Sequence, residues 1–188
     1  QSVEGALATI KKASSKINLV WAVGAPLQVD CRLYNCAVVF YRGKILGIAV
    51  KSYLPNYREY YEGRQFSPAS QALATTVSLA GQKDIPFGAN LIFQAANHQT
   101  LRLFFEICED VWVPVPPSSF AAMAGATVIG NLSASNITVG KSEYRHQLIA
   151  NQSARCVAAY LYADAGFGES TTDLAWDGHA MIYENGNL

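Results

Sequence analysis

Residues 102–117 have the sequence RLFFEICEDVWVPVPP, and they decide how the middle of the chain folds. The apolar run that ends at Ile107 is typical of a buried strand, and the prolines that follow prevent it from continuing as sheet. Cys108 therefore lies where a strand ends, which is where open α/β sheets place their functional groups. A thiol on such a turn is accessible to substrate, whereas most free cysteines are buried as small hydrophobic side chains. The position alone leaves a catalytic role and a packing role open.

Carboxylates surround this thiol in the sequence. Glu106, Glu109 and Asp110 would oppose formation of the thiolate, so a cation must come from elsewhere in the chain. The best candidate is Lys51, which follows an apolar stretch at the predicted end of another strand, although a solvated lysine is the simpler alternative. The residues after Lys51 include the carboxylate of Glu59 and several tyrosines, and surface loops rarely carry so many aromatic rings without a function.

Recognisable motifs occupy seven segments of the chain, which are residues 33–39 (LYNCAVV), 51–62 (KSYLPNYREYYE), 106–114 (EICEDVWVP), 116–119 (PPSS), 131–136 (NLSASN), 152–156 (QSARC) and 168–173 (GESTTD). These segments resemble the glutaminase domain of glutamine-dependent NAD synthetases, a branch of the nitrilase (carbon-nitrogen hydrolase) superfamily. They cover nearly the whole chain in the order of the family. The resemblance implies an α/β fold, namely a nitrilase-like αββα sandwich that is incomplete at both ends.

The resemblance also assigns catalytic roles. The family uses a triad of glutamate, lysine and cysteine, and Lys51 and Cys108 match its lysine and its nucleophile. The general-base glutamate of the family lies in a Pro-Glu-Leu-type motif that has no match here, while residues 1–7 resemble the helix that follows it. We therefore expect residues 1–188 to be a partial glutaminase domain that lacks this glutamate segment and the synthetase domain.

A substrate pocket follows from the same resemblance. Glu59 matches a second family glutamate that orients the lysine and shapes the pocket, with a surface carboxylate paired to a neighbouring arginine as the alternative. Tyr57, Trp112, Ser135 and Lys141 are expected to line the pocket or its rim. Relatives often carry arginine in place of Lys141, so a bidentate clamp on the substrate carboxylate would become a single-charge contact.

Together these residues predict a glutaminase. The thiolate of Cys108 attacks the carboxamide of glutamine, ammonia leaves, and water cleaves the thioester. Lys51 and the backbone amide after Cys108 would stabilise the oxyanion. The resemblance implies that the ammonia reaches a synthetase domain that converts deamido-NAD to NAD with ATP and Mg, and that the glutaminase domain needs no cofactor or metal. A non-catalytic assembly fragment and a stand-alone nitrilase-type amidase are the alternatives.

Composition narrows the class of partner. Hydrophobic residues make up 51% of the chain and charged residues 15%, against a typical charged share of about 25%, so apolar surface is expected to face another domain or copy. We therefore expect a homo-oligomer. The net charge is zero without a basic run, and no apolar stretch could span a bilayer, so neither nucleic acid nor membrane is an expected partner. The four cysteines show no metal or redox spacing, which favours reduced thiols in the cytoplasm.

Two further patterns carry less weight. Residues 166–171 (GFGEST) look superficially like a phosphate-binding loop, but they lack the lysine and the spacing of a P-loop. None of the histidines, His98, His146 and His179, adjoins a plausible nucleophile, so a cysteine-histidine pair would require the fold to assemble it.

Hydrophobic periodicity predicts the elements that carry these residues. Helices are expected at 3–16, 118–125 and 142–155, and strands at 19–23, 36–41, 44–50, 91–93, 103–107, 126–131 and 156–163. Arg42-Gly43 predicts a two-residue hairpin turn. Residues 66–87 look like a variable excursion before the next strands, and 173–183 suggest a strand pair around Asp177-Gly178. The alternation of helices and strands in the second half is α/β order, within a length that allows one domain.

Overall fold

The computed structural model describes residues 2–169 and 173–188, which form two compact units. Unit 1 comprises Gln1–Leu54 and Glu62–Leu91, and unit 2 comprises Pro55–Tyr61 and Ile92–Leu188. Each unit has a five-stranded sheet and a hydrophobic cluster of its own. The buried hydrophobic side chains of the described residues accordingly fall into two groups.

In the residues that the structure describes, unit 1 contains one α-helix, five strands and two single-turn 3-10 helices. The α-helix and the strands are α1 (Ser2–Ser14), β1 (Trp21–Val29), β2 (Arg32–Tyr41), β3 (Lys44–Val50), β4 (Thr76–Leu79) and β5 (Gln82–Gly88). The strands are ordered β1-β2-β3-β5-β4, and α1 packs against β1, β2 and β3. The core is built from Leu7 of α1 and from buried strand residues such as Val38, Phe40 and Ile48. Burial of these apolar side chains stabilises the unit by roughly 1.5–3 kcal/mol for each large residue.

Two-residue turns fix the register of the hairpins in unit 1. The turns Asp30-Cys31, Arg42-Gly43 and Ala80-Gly81 have positive φ at both positions, a geometry that matches the twist of the flanking strands. The predicted turn at Arg42-Gly43 is thus confirmed. The strand predicted at 19–23 begins at Trp21 and continues to Val29, because it pairs with β2 along its whole length.

The excursion expected at 66–87 contains two strands in its second half, which the sequence analysis did not predict. These residues include β4 and nearly all of β5, and β5 pairs in parallel with β3 through Phe87 and Ile48. Only Ile85 and Phe87 of β5 are buried, and the rest of the strand is polar or partly exposed. The apolar signal was therefore too sparse to indicate a strand.

Unit 2 has the α/β order that the sequence predicted. Its elements are β6 (Ile92–Ala95), β7 (His98–Ile107), α2 (Pro117–Met123), β8 (Val128–Ser133), α3 (Lys141–Cys156), β9 (Ala159–Asp164) and β10 (Ala180–Glu184). The strands are ordered β10-β9-β8-β7-β6, and β7, β8 and β9 are parallel with α2 and α3 in their connections. Tyr160 and Ile129 of the central strands and Ile149 of α3 are fully buried.

The end of unit 2 differs from the prediction in two places. The expected strand pair around Asp177-Gly178 is wrong, because β10 alone forms there, antiparallel to β9. The strand predicted from Cys156 begins at Ala159, since α3 continues to Cys156 and ends at Val157 with a φ of 50°. Residues 170–172 lie outside the described residues, so the predictions for 166–171 and 168–173 stay untested there. Within the described ranges, no helix is long and apolar enough to cross a membrane.

Candidate active site

Cys108 lies directly after β7, as predicted, and it opens a short 3-10 helix, Cys108–Val111. Its φ is 47°, in the left-handed region, where a residue with a Cβ is strained by roughly 1–2 kcal/mol. Such strain concentrates at functional sites, because the surrounding structure must hold the residue in place. The residue is 8% exposed, so it is more enclosed than the sequence suggested.

The thiol opens into a cavity of about 270 Å³ within unit 2. Six of the seven predicted site residues line this cavity: Tyr57, Glu59, Cys108, Trp112, Ser135 and Lys141. They come from three separate parts of the sequence, which the fold of unit 2 brings together. The volume is just under the roughly 300–1,000 Å³ of pockets for drug-sized ligands, so it suits a compound of amino-acid size.

Lys141 is one of two basic residues that line the cavity. Its Nζ lies 2.5 Å from Asn136 Oδ1, 5.6 Å from the centre of the Trp112 ring and 5.9 Å from that of Tyr60. Burial, together with the charge of Arg145, lowers the pKa of Lys141 from its ordinary value. Aromatic faces attract a cation without neutralising it, so the ammonium stays available to an anionic group of a ligand.

Asn136 forms hydrogen bonds with both the negatively charged Glu59 and the positively charged Lys141 of the cavity wall. Its Nδ2 donates to Glu59 Oε1 at 2.7 Å, and its Oδ1 accepts from Lys141 Nζ and from the Tyr60 hydroxyl. A bond from the backbone amide of Glu59 itself, with the Asn136 amide and the Lys141 charge, holds the pKa of Glu59 below its ordinary value. The cavity therefore presents a fixed carboxylate beside a fixed ammonium.

Glu109 forms a further part of the wall. The Tyr57 hydroxyl lies 2.9 Å and 3.1 Å from its two carboxylate oxygens, to which it donates. Burial and this hydrogen bond raise the pKa of Tyr57 to about 12, so the phenol remains a donor. The sequence had suggested Glu109 only as a source of repulsion to the thiolate, and its place in the cavity was missed.

The three carboxylates that crowd Cys108 in sequence are bound to different partners in the fold. Asp110 Oδ2 accepts from the Ile107 backbone amide at 3.0 Å. Glu106 is 2% exposed, and burial raises its pKa to about 7. Glu106 therefore carries less negative charge near neutral pH than the sequence suggested, which reduces the expected repulsion.

Lys51 lies in unit 1, directly after β3, as predicted. It is 3% exposed, so the alternative of a solvated lysine is wrong. Its Nζ lies 2.5 Å from Glu62 Oε2, and Asn35 Nδ2 donates to the other oxygen of that carboxylate at 2.7 Å. The carboxylate that orients Lys51 is thus Glu62, which corrects the expectation for Glu59.

The histidines do not join the cavity as the structure describes it. The rings of His146 and His179 have centroids 4.9 Å apart, and His146 Nδ1 lies 2.8 Å from the Tyr183 hydroxyl. His98 begins β7. In residues 2–169 and 173–188, no group of three or more His, Cys, Asp or Glu side chains is arranged to hold a metal ion.

Comparison with known proteins places this site in a family. Residues 4–185 match the carbon-nitrogen hydrolase family. The chain belongs to this family. The chain is 53% identical to a glutamine-dependent NAD(+) synthetase of Mycobacterium leprae, with 100% of the chain and 27% of that relative covered. Identity to the human glutamine-dependent NAD(+) synthetase is 30%, over 97% of the chain and 26% of the relative. The chain spans about a quarter of the length of these curated relatives.

Solved structures confirm the fold. A glutamine-dependent NAD(+) synthetase from Cytophaga hutchinsonii matches with a TM-score of 0.82 and 29% identity, over 99% of this chain and 30% of that one. A carbon-nitrogen hydrolase from Helicobacter pylori matches with a TM-score of 0.73 over 98% of this chain and 61% of that one, and at 16% identity it supports the fold alone. The nitrilase-like α/β fold expected from the sequence is therefore confirmed.

Proposed function

We propose that this chain hydrolyses the side-chain amide of glutamine through a thioester on Cys108. The observation that carries this proposal is the set of residues that line the cavity of unit 2. The thiol of Cys108, at a strained turn, lines the same cavity as the oppositely charged side chains of Glu59 and Lys141. Free glutamine carries an ammonium group and a carboxylate on its α-carbon, and an uncharged amide at the end of its side chain. The cavity offers complementary groups for each part.

The charges suggest how the substrate would be oriented. Lys141 would bind the α-carboxylate, and Glu59 would bind the α-ammonium group. The side chain would then extend toward Cys108, with Tyr57 and Trp112 beside it. An amide without these α-substituents would lose both ionic contacts, which favours glutamine over a simple amide as the substrate.

The chemistry would proceed in two steps. The sulfur of Cys108 attacks the amide carbon, the C–N bond breaks, and ammonia leaves with the proton from the thiol. Water then attacks the thioester, releasing glutamate and restoring the thiol. The backbone amide of Glu109 would donate to the oxyanion, and Lys51 contributes positive charge by its match to the family lysine.

The fate of the ammonia is proposed by similarity. The curated relatives are glutamine-dependent NAD(+) synthetases, so we propose that the ammonia converts deamido-NAD to NAD in a synthetase domain that uses ATP and Mg. A homo-oligomer in the cytoplasm remains our expectation for the assembly. The glutaminase cavity itself would use neither cofactor nor metal.

Ammonia release from glutamine tests the proposal. It would be measured with the 188-residue chain, and with the same chain joined to the flanking segments of the Mycobacterium leprae relative, each beside a Cys108→Ala variant. We expect release in at least the joined protein and none in the variant. Release by the chain alone would make Glu109, the other carboxylate of the cavity wall, the base. Equal release with and without Cys108, or none in either form, would refute the proposal.

Substrate choice separates glutaminase from general amidase activity. We expect glutamine to be preferred over asparagine and over acetamide, because only glutamine can place its amide at Cys108 while keeping both ionic contacts. Lys141→Met should raise KM for glutamine about tenfold or more and leave acetamide hydrolysis unchanged. Equal use of acetamide and glutamine would favour a stand-alone amidase instead.

A further inference from the structure

The backbone of Cys108 is held by a side chain from the neighbouring strand. The Cys108 N–H donates to Asn131 Oδ1 at 3.1 Å, and Asn131 Nδ2 lies 3.5 Å from the Cys108 carbonyl oxygen. Asn131 is 1% exposed and lies on β8, in register with Glu106 of β7. The side-chain amide of Asn131 therefore contacts both the N–H and the C=O of Cys108, the residue with the strained φ.

Asn131 is itself fixed by a chain of buried groups. Its Nδ2 donates to the hydroxyl of Tyr160 at 3.2 Å, and that hydroxyl in turn donates to Glu106 Oε1. The other oxygen of Glu106 accepts from the Ser118 backbone amide at 2.9 Å. Tyr160 is fully buried and Glu106 is 2% exposed. The chain thus runs from the start of α2 to the candidate nucleophile.

Burying this chain of polar groups costs free energy of hydration. A carboxyl group and a phenol in a core lose their hydration, and each needs an internal partner to compensate. Burial and the nearby charge of Asp110 raise the pKa of Glu106, while the bonds from Tyr160 and Ser118 oppose that rise. Neither Glu106, Tyr160 nor Asn131 lines the cavity, so none of them is placed to contact a substrate.

The position of Asn131 affects the proposed oxyanion donor. The peptide that joins Cys108 to Glu109 is planar and trans, so its C=O and N–H point in opposite directions. Holding the Cys108 carbonyl toward Asn131 therefore directs the Glu109 N–H to the other side of the peptide. The same contact that supports the left-handed turn would also aim the donor.

We propose that Asn131, Tyr160 and Glu106 form a positioning relay that holds the Cys108 turn and aims the Glu109 amide during glutamine hydrolysis. The inference rests on the proposed function. All three are positioning residues, and Glu106 and Tyr160 act only through Asn131. Small displacements of a reacting group reduce rates strongly, so the relay should affect the chemical step more than substrate binding.

Isosteric variants test the relay. Tyr160→Phe removes only the hydroxyl, and Glu106→Gln removes the charge and replaces one of the two accepting oxygens with an NH2 group of similar size. Tyr183→Phe is the matched control, because Tyr183 is also a buried strand tyrosine of unit 2, and its hydroxyl contacts His146 instead. The measurements are kcat and KM for glutamine and the rate at which iodoacetamide alkylates Cys108, made on each form that passes circular dichroism and thermal unfolding controls.

We expect each relay variant to lower kcat about tenfold while KM changes less than about twofold, and to change the alkylation rate at least threefold. The control should change neither. Unchanged kcat in both relay variants, or equal losses in Tyr183→Phe, would overturn the relay. If the unaltered protein releases no ammonia, the proposed function fails, and the alkylation rate still decides on the relay because it needs only the thiol. Glu106→Gln preserves shape, so it remains informative if Tyr160→Phe does not fold.

Discussion

Two strand ends of this chain hold candidate catalytic residues by different means. At the end of β3 in unit 1, the side chain of Lys51 is fixed through its ion pair with Glu62. At the end of β7 in unit 2, Cys108 is fixed through its backbone, which the amide of Asn131 holds at a φ of 47°. An ammonium is a strong donor that a carboxylate can place, whereas a thiol is a weak one. A nucleophilic cysteine must therefore be positioned by the chain that carries it.

Arg145 holds the backbone of a second part of the cavity wall, the segment that contains Ser135. Its guanidinium is fully buried and donates to the carbonyl oxygens of Ser135 and Asn136 at 2.7 Å and 2.9 Å. It also pairs with Asp177 at 2.7 Å and with the buried Asp164 at 3.4 Å. Its removal would leave carbonyls and carboxylates without their shared donor.

The largest expected effect is therefore that of Arg145→Ala, with a loss of about 4 kcal/mol in the free energy of unfolding by urea. Arg155→Ala, at an exposed position on the same helix, removes a hydrogen bond to Gln152 and should change it by about 1 kcal/mol or less. A similar small change in both variants would show that Arg145 does not organise the wall.

Lys51→Met removes the ion pair with Glu62 that holds the side chain of Lys51 in place. Glu62 would remain mostly buried without its ammonium, so we expect a loss of about 3 kcal/mol in unfolding free energy. The double variant Lys51→Met/Glu62→Gln should recover most of this stability but none of the ammonia release. Lys44→Met, at the exposed start of β3, is the control and should have little effect. A double variant as unstable as the single one would mean that packing of the methylene chain, not charge, holds Lys51.

The pH dependence of stability tests the relay below Cys108. Burial raises the pKa of Glu106 to about 7, so between pH 5 and pH 7 the unfolded state has lost a proton that the folded state retains. Stability from this group is therefore complete below the unfolded pKa and is lost as the pH rises through that window, by about 2 kcal/mol. Glu106→Gln should flatten this part of the curve. A slope that is identical in the variant would assign it to other groups.

The smallest expected effect concerns the backbone strain itself. Because the φ of Cys108 is in the left-handed region, Cys108→Gly should be more stable than Cys108→Ala by about 1 kcal/mol. Cys36 is a buried cysteine of β2 whose φ is not positive, so there glycine should be the less stable replacement. The same order of stabilities at both cysteines would contradict the strain at Cys108.

Local patterns were sufficient to predict much of the fold. The hairpin at Arg42-Gly43 and the α/β order of unit 2 follow from turn residues and apolar periodicity, which act over a few neighbours. The strands β4 and β5 were missed because only a few of their side chains reach the core. Their place in the sheet depends on β3, which is distant in sequence.

The family motifs were sufficient to predict residues of the site, but not the contacts between them. Cys108 belongs to those motifs, and so do both members of the ion pair of Lys51 with Glu62 and of the contact of Asn131 with Cys108, yet the motifs did not indicate these pairings. Arg145 lies on a polar helix face that gave no sign of complete burial. Such contacts depend on side-chain geometry that residue type and spacing do not specify.

The central claim is that Cys108 attacks a glutamine bound in the cavity of unit 2. The most direct test is to treat the protein with a chloroketone analogue of glutamine, digest it, and locate the modified cysteine by mass spectrometry, with excess glutamine as competitor. We expect Cys108 to be labelled, the label to be suppressed by glutamine, and labelling to slow in Lys141→Met. Labelling of Cys31, Cys36 or Cys156 in its place, or labelling that glutamine does not suppress, would contradict the claim.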